Sequence, residues 1–295
     1  MLPGRCVRGA TRSVLPSLPL ADGELDEADA RELQALKRQV ELDSGLRCDG
    51  YKEKCLRRRI AVRMRARGVH RYRDYAELLR EDPAEYQRLL AAIVINVSKF
   101  FRNPEVWAAL RERVLGELLA LDARPVRIWS AGTAGGEEAY SVAIMLLEAL
   151  GGAASARRVS RRFAILGTDI DDESLEIARR GEYGELALSD TEEGLRRRWF
   201  EPGTRYRLRP EPRGLVEFRV LDLMKDPFPQ GQHLILCRNV IIYFERAVQE
   251  ELFVRFRDAL VPGGYLVLGK VETLVGPAAS AFRQVAPRER IYQRI

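Results

Sequence analysis

The spacing of hydrophobic positions changes near residue 123. Upstream, apolar residues recur three and four apart: Leu33, Leu36 and Val40 form one stripe, Leu56, Ile60 and Met64 a second, and Trp107, Leu110, Val114 and Leu118 a third, with Pro104 placed at a helix start. That period predicts an all-helical N-terminal domain over residues 25–122. Beyond Pro125, short apolar runs alternate with helical stretches, the pattern of βαβ units around a parallel sheet. Strands are expected at Val126–Ser130, Phe163–Thr168, Leu215–Leu221, Leu234–Cys237 and Tyr265–Gly269, and a helix over Glu245–Leu260 that stops at Pro262-Gly263-Gly264. The closing runs Phe282–Val285 and Arg290–Gln293 flank Pro287 and predict an antiparallel hairpin at the sheet edge. The expected class is α/β, a Rossmann-like sheet in residues 123–295 behind the helical domain. Residues 1–24 show neither period and are read as a disordered tail; Arg5, Arg8 and Arg12 with no acid in the first 20 residues also resemble a transit peptide, without the apolar centre of a secretory signal.

Composition narrows this only slightly. At 295 residues and 46% hydrophobic, the chain can bury the core of one large domain or two ordinary ones. A net charge of +6 and a pI near 9.2 favour an acidic partner without choosing one. Cys6, Cys48, Cys55 and Cys237 lie far apart, and the histidines are His70 and His233, so neither a disulfide framework nor a metal site is expected and a reducing, cytoplasmic setting is the simpler reading. Apolar runs such as Ala91–Val97 fall well short of the roughly 20 residues that span a bilayer, and no membrane insertion is expected. From Lys52 to Arg73 there are ten basic side chains and one acid, Glu53. Leu56, Ile60 and Met64 point one way while Arg58 and Arg65 point roughly opposite, giving a cationic face for an acidic partner or simply a solvated one. Nucleic acid is disfavoured because no aromatic residues alternate with the arginines.

The segment after the first strand carries the chemistry. Ala131–Tyr140 reads A-G-T-A-G-G-E-E-A-Y, followed by a helical period through Val142, Ala143, Leu146 and Leu147. Gly132, Gly135 and Gly136 allow a tight turn and close approach to a ligand. The next strand ends in T-D-I-D, placing Asp169 at its tip, where a carboxylate can accept both hydroxyl protons of a ribose. A phosphate-binding loop would need a lysine that is absent, and a pyrophosphate would be repelled by Glu137 and Glu138 at the helix start. Those acids suit a ligand bearing an ammonium and a sulfonium, as S-adenosylmethionine does, which points to a methyltransferase; the plainer alternative is that they complement the helix dipole.

Four blocks then carry a specific resemblance: N-V-S-K-F-F-R (Asn96–Arg102), W-S-A-G-T-A-G-G-E-E-A-Y-S (Trp129–Ser141), T-D-I-D (Thr168–Asp171) and C-R-N-V-I-I-Y-F (Cys237–Phe244), the last followed by V-P-G-G-Y-L. In this order they resemble the chemotaxis receptor methyltransferases of the CheR type, over roughly Val40 to the C-terminus. The resemblance implies transfer of the S-adenosylmethionine methyl group to glutamate carboxylates on the cytoplasmic helices of chemoreceptors, giving methyl esters. It implies cofactor contacts at Asn96, Ser98, Arg102, Glu137, Asp169, Asp222, Leu223, Arg238 and Asn239, with Tyr243 over the reacting centre and the site between two domains. Arg102 is the first candidate to orient the substrate carboxylate through its guanidinium fork, and Tyr243 the second, as hydroxyl donor or wall. The competing roles are a salt bridge tying the helical domain to the sheet for Arg102, and plain aromatic packing for Tyr243. The basic run with Arg58 and Arg65 is implied to meet the acidic receptor helices.

Departures from the family pattern are Ser98 in place of threonine, Asp222 where asparagine occurs, and G-K-V-E-T-L (Gly269–Leu274), where a histidine and serine usually precede the glutamate. The short connection between Tyr183 and Val216 allows a small β subdomain over 184–218, of the kind that docks a receptor tail in some relatives, with Tyr206–Arg209 and Val216–Val220 as a hairpin around E-P-R-G. Two other readings remain: a non-catalytic cofactor-binding signalling module, or a methyltransferase for another protein or small-molecule carboxylate. An amino-methylating nucleic-acid enzyme is disfavoured, because Arg238-Asn239-Val240 stands where such enzymes carry [DN]-P-P-[YFW].

Overall fold

The computed structural model describes residues 25–94, 97–122 and 125–295. The described residues divide into two compact units, one of residues 25–48 together with 53–93, the other of residues 49–52, 94, 97–122 and 125–295. The first is built from helices α1 (Glu27–Ser44), α2 (Glu53–Ala66), α3 (Tyr72–Glu81) and α4 (Pro83–Val94). The Asp26 carboxylate accepts the Asp29 N–H to start α1, and Gly45, left-handed at φ 74, ends it. Leu33, Leu36, Val40, Leu56, Ile60 and Met64 are all buried, as the stripes predict. One acid is buried with them. Glu85 accepts Nε and Nη2 of Arg63 at 2.9 and 2.6 Å and the Tyr75 hydroxyl at 2.8 Å. Burial alone would raise its pKa, but Arg63 and Tyr75 hold it below the ordinary range. Arg67 pairs with Asp82 at 2.7 Å. Arg63 and Arg67 are thereby engaged with acids, while Arg58 and Arg65 are exposed.

The second unit is organised by strands β1 (Val126–Ala131), β2 (Phe163–Asp169), β3 (Glu182–Tyr183), β4 (Phe200–Glu201), β5 (Tyr206–Leu208), β6 (Val216–Val220), β7 (Gln232–Cys237), β8 (Leu260–Leu268), β9 (Phe282–Ala286) and β10 (Ile291–Arg294). Seven of them form one sheet in the order β6-β2-β1-β7-β8-β10-β9. The pairs from β6 through β8 are parallel, and β10 runs antiparallel to β8 and β9. The closing hairpin is therefore present. Every residue of β7, and all of β1 except Arg127, is buried, as for parallel strands covered on both faces. Strand β8 starts earlier than Tyr265 because Leu260 already pairs with Gln232, and the glycine turn between them is taken up as a register shift. The chain places β2 and β6 on one side of β1, and β7 and β8 on the other. A crevice is expected at the C-terminal ends of β1 and β7, where the strand order reverses.

The remaining helices of this unit are α5 (Pro104–Arg113), α6 (Leu115–Ala120), α7 (Glu137–Leu150), α8 (Ala156–Arg162), α9 (Asp172–Arg180), α10 (Glu193–Trp199), α11 (Pro210–Arg213) and α12 (Arg246–Ala259). Two expectations need correction. The third apolar stripe, grouped by its period with the helical domain, belongs to the sheet unit: Trp107, Leu110, Val114 and Leu118 join Ile128, Ile144 and Leu234 in one core cluster, so the units divide near residue 94 rather than 122. The expected hairpin of Tyr206–Arg209 with Val216–Val220 does not form. Instead β6 pairs in parallel with β2 at the sheet edge, and β5 lies between β3 and β4 in a small three-stranded sheet. Phe218, half-buried against Tyr140, favours that edge position. Among the described residues no single helix is long and apolar enough to cross a membrane.

Candidate functional site

A pocket opens in the sheet unit at the predicted crevice, and the turn between β1 and α7 forms its floor. Gly132 is left-handed (φ 76), and a Cβ there would stand 2.4 Å from a methyl of Val240; at Gly136 (φ 86) it would stand 2.7 Å from the Ala178 Cβ. The N–H groups of Gly132 and Thr133 donate to the Thr168 carbonyl at 2.8 and 2.9 Å, fastening the turn to the tip of β2. Ala134 also has a positive φ, 51, and its N–H donates to Asp169 Oδ2 at 2.8 Å. The Tyr183 hydroxyl of the small sheet donates to the Gly135 carbonyl at 2.8 Å.

Three buried acids cluster beside this turn. Burial pushes the Asp169 carboxyl up to about 6 and that of Glu137 up to about 7, the latter against a hydrogen bond with Ser98. Glu137 Oε2 is buried and has no protein partner among the described residues. Glu138 accepts the Ser130 hydroxyl at 2.8 Å and lies 3.5 Å from Arg238 Nη1; burial raises its pKa while Arg238 opposes the rise. Buried carboxylates with an unpartnered oxygen suit a cationic, hydrogen-bond-donating ligand and oppose an anionic one.

Arg238, buried at the end of β7, faces the other way as well. Its Nη2 donates to the Arg102 carbonyl at 2.7 Å and to Asn103 Oδ1 at 3.1 Å. The segment 97–103 is thus pinned to the sheet from inside. Phe100 anchors it further, meeting Tyr183 and Phe200 edge-on at 4.7 and 4.8 Å, while the Phe101 N–H donates to Ser141 Oγ at 2.9 Å. The Arg102 guanidinium stays at the pocket, donating to the Val97 carbonyl at 3.3 Å; among the described residues it makes no ion pair. On the β6 side, Asp222 Oδ1 accepts the Met224 N–H at 2.8 Å.

Of the residues expected at the site, Ser98, Arg102, Asp169, Asp222, Leu223, Arg238, Asn239 and Tyr243 all line this pocket. Glu137 does not line the pocket; it is buried and hydrogen-bonded to Ser98, which does. Asn96 lies outside the described residues. Arg58 and Arg65 belong to the helical unit and are exposed on α2. Ser98 and Arg102, expected from the helical domain, are supplied by the sheet unit. Two residues were missed. Tyr51, from the short segment 49–52 between α1 and α2, lines the pocket, and no periodicity in that segment signals it. Glu272 accepts backbone N–H groups from the loop after β7; G-K-V-E-T-L marked the position but not the role. Lys270 instead pairs with Glu105.

Comparison with known proteins matches this architecture part by part. The family described as "CheR methyltransferase, SAM binding domain" matches residues 96–291, and "CheR methyltransferase, all-alpha domain" matches residues 31–94. The chain is 35% identical over 242 residues to a chemotaxis protein methyltransferase of Listeria innocua, covering 82% of this chain and 89% of that protein. It is 32% identical to a probable chemotaxis protein methyltransferase of Rhizobium etli (82% and 92% covered) and 33% identical to that of Salmonella typhimurium (78% and 79% covered).

Proposed function

The chain belongs to the CheR methyltransferase family, and from that premise we propose that it methylates glutamate side chains on the cytoplasmic helices of chemoreceptors, forming methyl esters in chemosensory signalling. It is an S-adenosylmethionine-dependent methyltransferase. The observation that carries the proposal is the convergence of Ser98, Arg102, Asp169, Asp222, Arg238, Asn239 and Tyr243 on one pocket, with buried Glu137 hydrogen-bonded to Ser98. The residues present fit the cofactor: Glu137 Oε2 and Asn239 Oδ1 are buried acceptors without protein partners among the described residues. Glu137, hydrogen-bonded to Ser98, would hold the ammonium group and Asp169 the ribose, with Asp222 and Leu223 as further cofactor contacts.

When bound, the cofactor supplies an electrophilic methyl group to a glutamate that, with an ordinary pKa of about 4.3, is already an anion at neutral pH. The protein therefore has no proton to remove, and its task is alignment and exclusion of water. Arg102 offers a planar fork that orients the incoming carboxylate, and Tyr243 forms the wall beside it. Arg58 and Arg65 present positive charge that steers the acidic receptor helix. Incubation with a receptor cytoplasmic fragment and isotopically labelled S-adenosylmethionine, followed by mass spectrometry, is the direct test. Base-labile methyl groups on glutamate are expected; label on another residue type, or cofactor binding without transfer to any receptor fragment, would overturn the proposal.

A further inference from the structure

Glu272 is 4% exposed and sits just past the end of β8. Its carboxylate gathers the N–H groups of a second chain segment, Oε2 accepting that of Asn239 at 3.0 Å and Oε1 those of Val240 and Ile241, each at 2.9 Å, while Oε2 also accepts the N–H of Gly269 in its own segment. Gly269 makes this reach possible, since a Cβ there would stand 2.7 Å from Glu272 Oε2 and 2.8 Å from the Asn239 nitrogen. Burial raises the Glu272 pKa while these N–H groups oppose the rise, so the loop itself supports the charge.

The loop so held is a working part of the pocket. Asn239 is left-handed at φ 63, lines the pocket, and has a buried Oδ1 without a protein partner among the described residues. Its neighbour Val240 packs where the absent Cβ of Gly132 leaves room. A carboxylate that binds three successive N–H groups fixes the backbone on which the Asn239 side chain stands. We propose that Glu272 is a positioning residue for the cofactor, holding Asn239 so that its side-chain oxygen accepts an N–H or O–H from the bound S-adenosylmethionine. This rests on the cofactor reading of Asn239 above.

The test is a double-mutant cycle in the full-length protein, with the Kd for S-adenosylmethionine measured by calorimetry well below the melting temperature. Asn239→Ala and Glu272→Gln are each expected to weaken binding about tenfold, with kcat at saturating cofactor changed less than about threefold, and the double variant is expected to bind no more weakly than the worse single. A merely structural glutamate would lower the melting temperature and leave Kd unchanged. If Asn239→Ala weakens binding and Glu272→Gln does not, the positioning role falls and the cofactor reading stands. If Asn239→Ala binds normally, the reading of Asn239 falls and the proposal with it. Additive losses in the double variant would also overturn the route through Asn239. Should Glu272→Gln fail to fold, Glu272→Asp, which keeps the charge and withdraws it by one methylene, completes the same cycle, with the same outcomes deciding.

Discussion

The ring of Tyr51 meets that of Phe244 edge-on, with centroids 5.2 Å apart. Two backbone hydrogen bonds flank the pair, from the Lys52 N–H to the Tyr243 carbonyl and from the Glu245 N–H to the Gly50 carbonyl, both at 2.8 Å. Four residues from between α1 and α2 are thereby built into the sheet unit, against the loop that carries Tyr243. Tyr51→Ala removes a buried ring from the pocket wall. It is expected to cost about 3–5 kcal/mol of stability and to weaken S-adenosylmethionine binding about tenfold. Thermal melts and calorimetry check both; an unchanged Kd would remove Tyr51 from the binding wall.

Burial gives cofactor binding a pH dependence whose sign is fixed by Glu137 and Asp169. Their carboxyls are pushed up from 4.5 and 3.8 to about 7 and about 6. Between the unfolded and folded values the folded state carries the extra proton, so their contribution makes the ligand-free protein less stable as pH rises from about 4 to 7. On the proposed reading, in which the cofactor ammonium group pairs with ionised Glu137, binding runs the opposite way. Kd should fall as pH rises toward 7, by up to about tenfold per unit, and level off above about pH 8. Calorimetry between pH 6 and 8 measures the slope, and Glu137→Gln should bind weakly with a much flatter one. A slope that survives Glu137→Gln would assign the proton to another group.

Much of this was legible because it is local. The turn Gly132–Gly136, the acid at Asp169 and the closing hairpin each follow from short stretches whose residue types leave few conformations. What the sequence concealed depends on partners distant in the chain. Trp107 and Leu118 lie on a helical stripe whether they face other helices or a sheet, so period alone could not say that they join the sheet unit. Strand β6 and the run at Tyr206–Leu208 were both identifiable as strands, but pairing between strands is not written in either one. Glu272 is the expected glutamate of a segment whose preceding residues, Lys270 and Val271, depart from the motif, and its role appears only when the N–H groups of Asn239 to Ile241 are brought to it across 31 to 33 residues.

The cationic surface of α2 and the residues after it is smaller than the run of basic residues suggests, since Arg63 and Arg67 are engaged by Glu85 and Asp82. Arg58 and Arg65 are exposed. Arg58→Glu combined with Arg65→Glu should slow methylation of a receptor fragment about tenfold or more at low salt, with the deficit shrinking as ionic strength shortens the Debye length to about 8 Å at 0.15 M. S-adenosylmethionine affinity should not change. Equal rates for variant and wild type at low salt would mean that this face is only solvated.

Arg102 offers the sharpest separation of chemistry from structure. Its backbone carbonyl accepts Arg238 Nη2 at 2.7 Å, a bond that any side chain at this position preserves, while its guanidinium lies at the pocket. Arg102→Ala should therefore melt at nearly the wild-type temperature and lose methyl transfer by about 100-fold or more, the scale expected when a reacting group is no longer aligned. Arg102→Lys should restore little, because an ammonium group cannot present two parallel N–H groups to a carboxylate. The kinetic pattern separates the two roles open to this residue. If Arg102 only bound the cofactor, saturating S-adenosylmethionine would recover kcat; if it orients the glutamate, kcat stays low at any cofactor concentration. Full methylation of a receptor fragment by Arg102→Ala would eliminate both roles and leave the Arg102 side chain outside the mechanism.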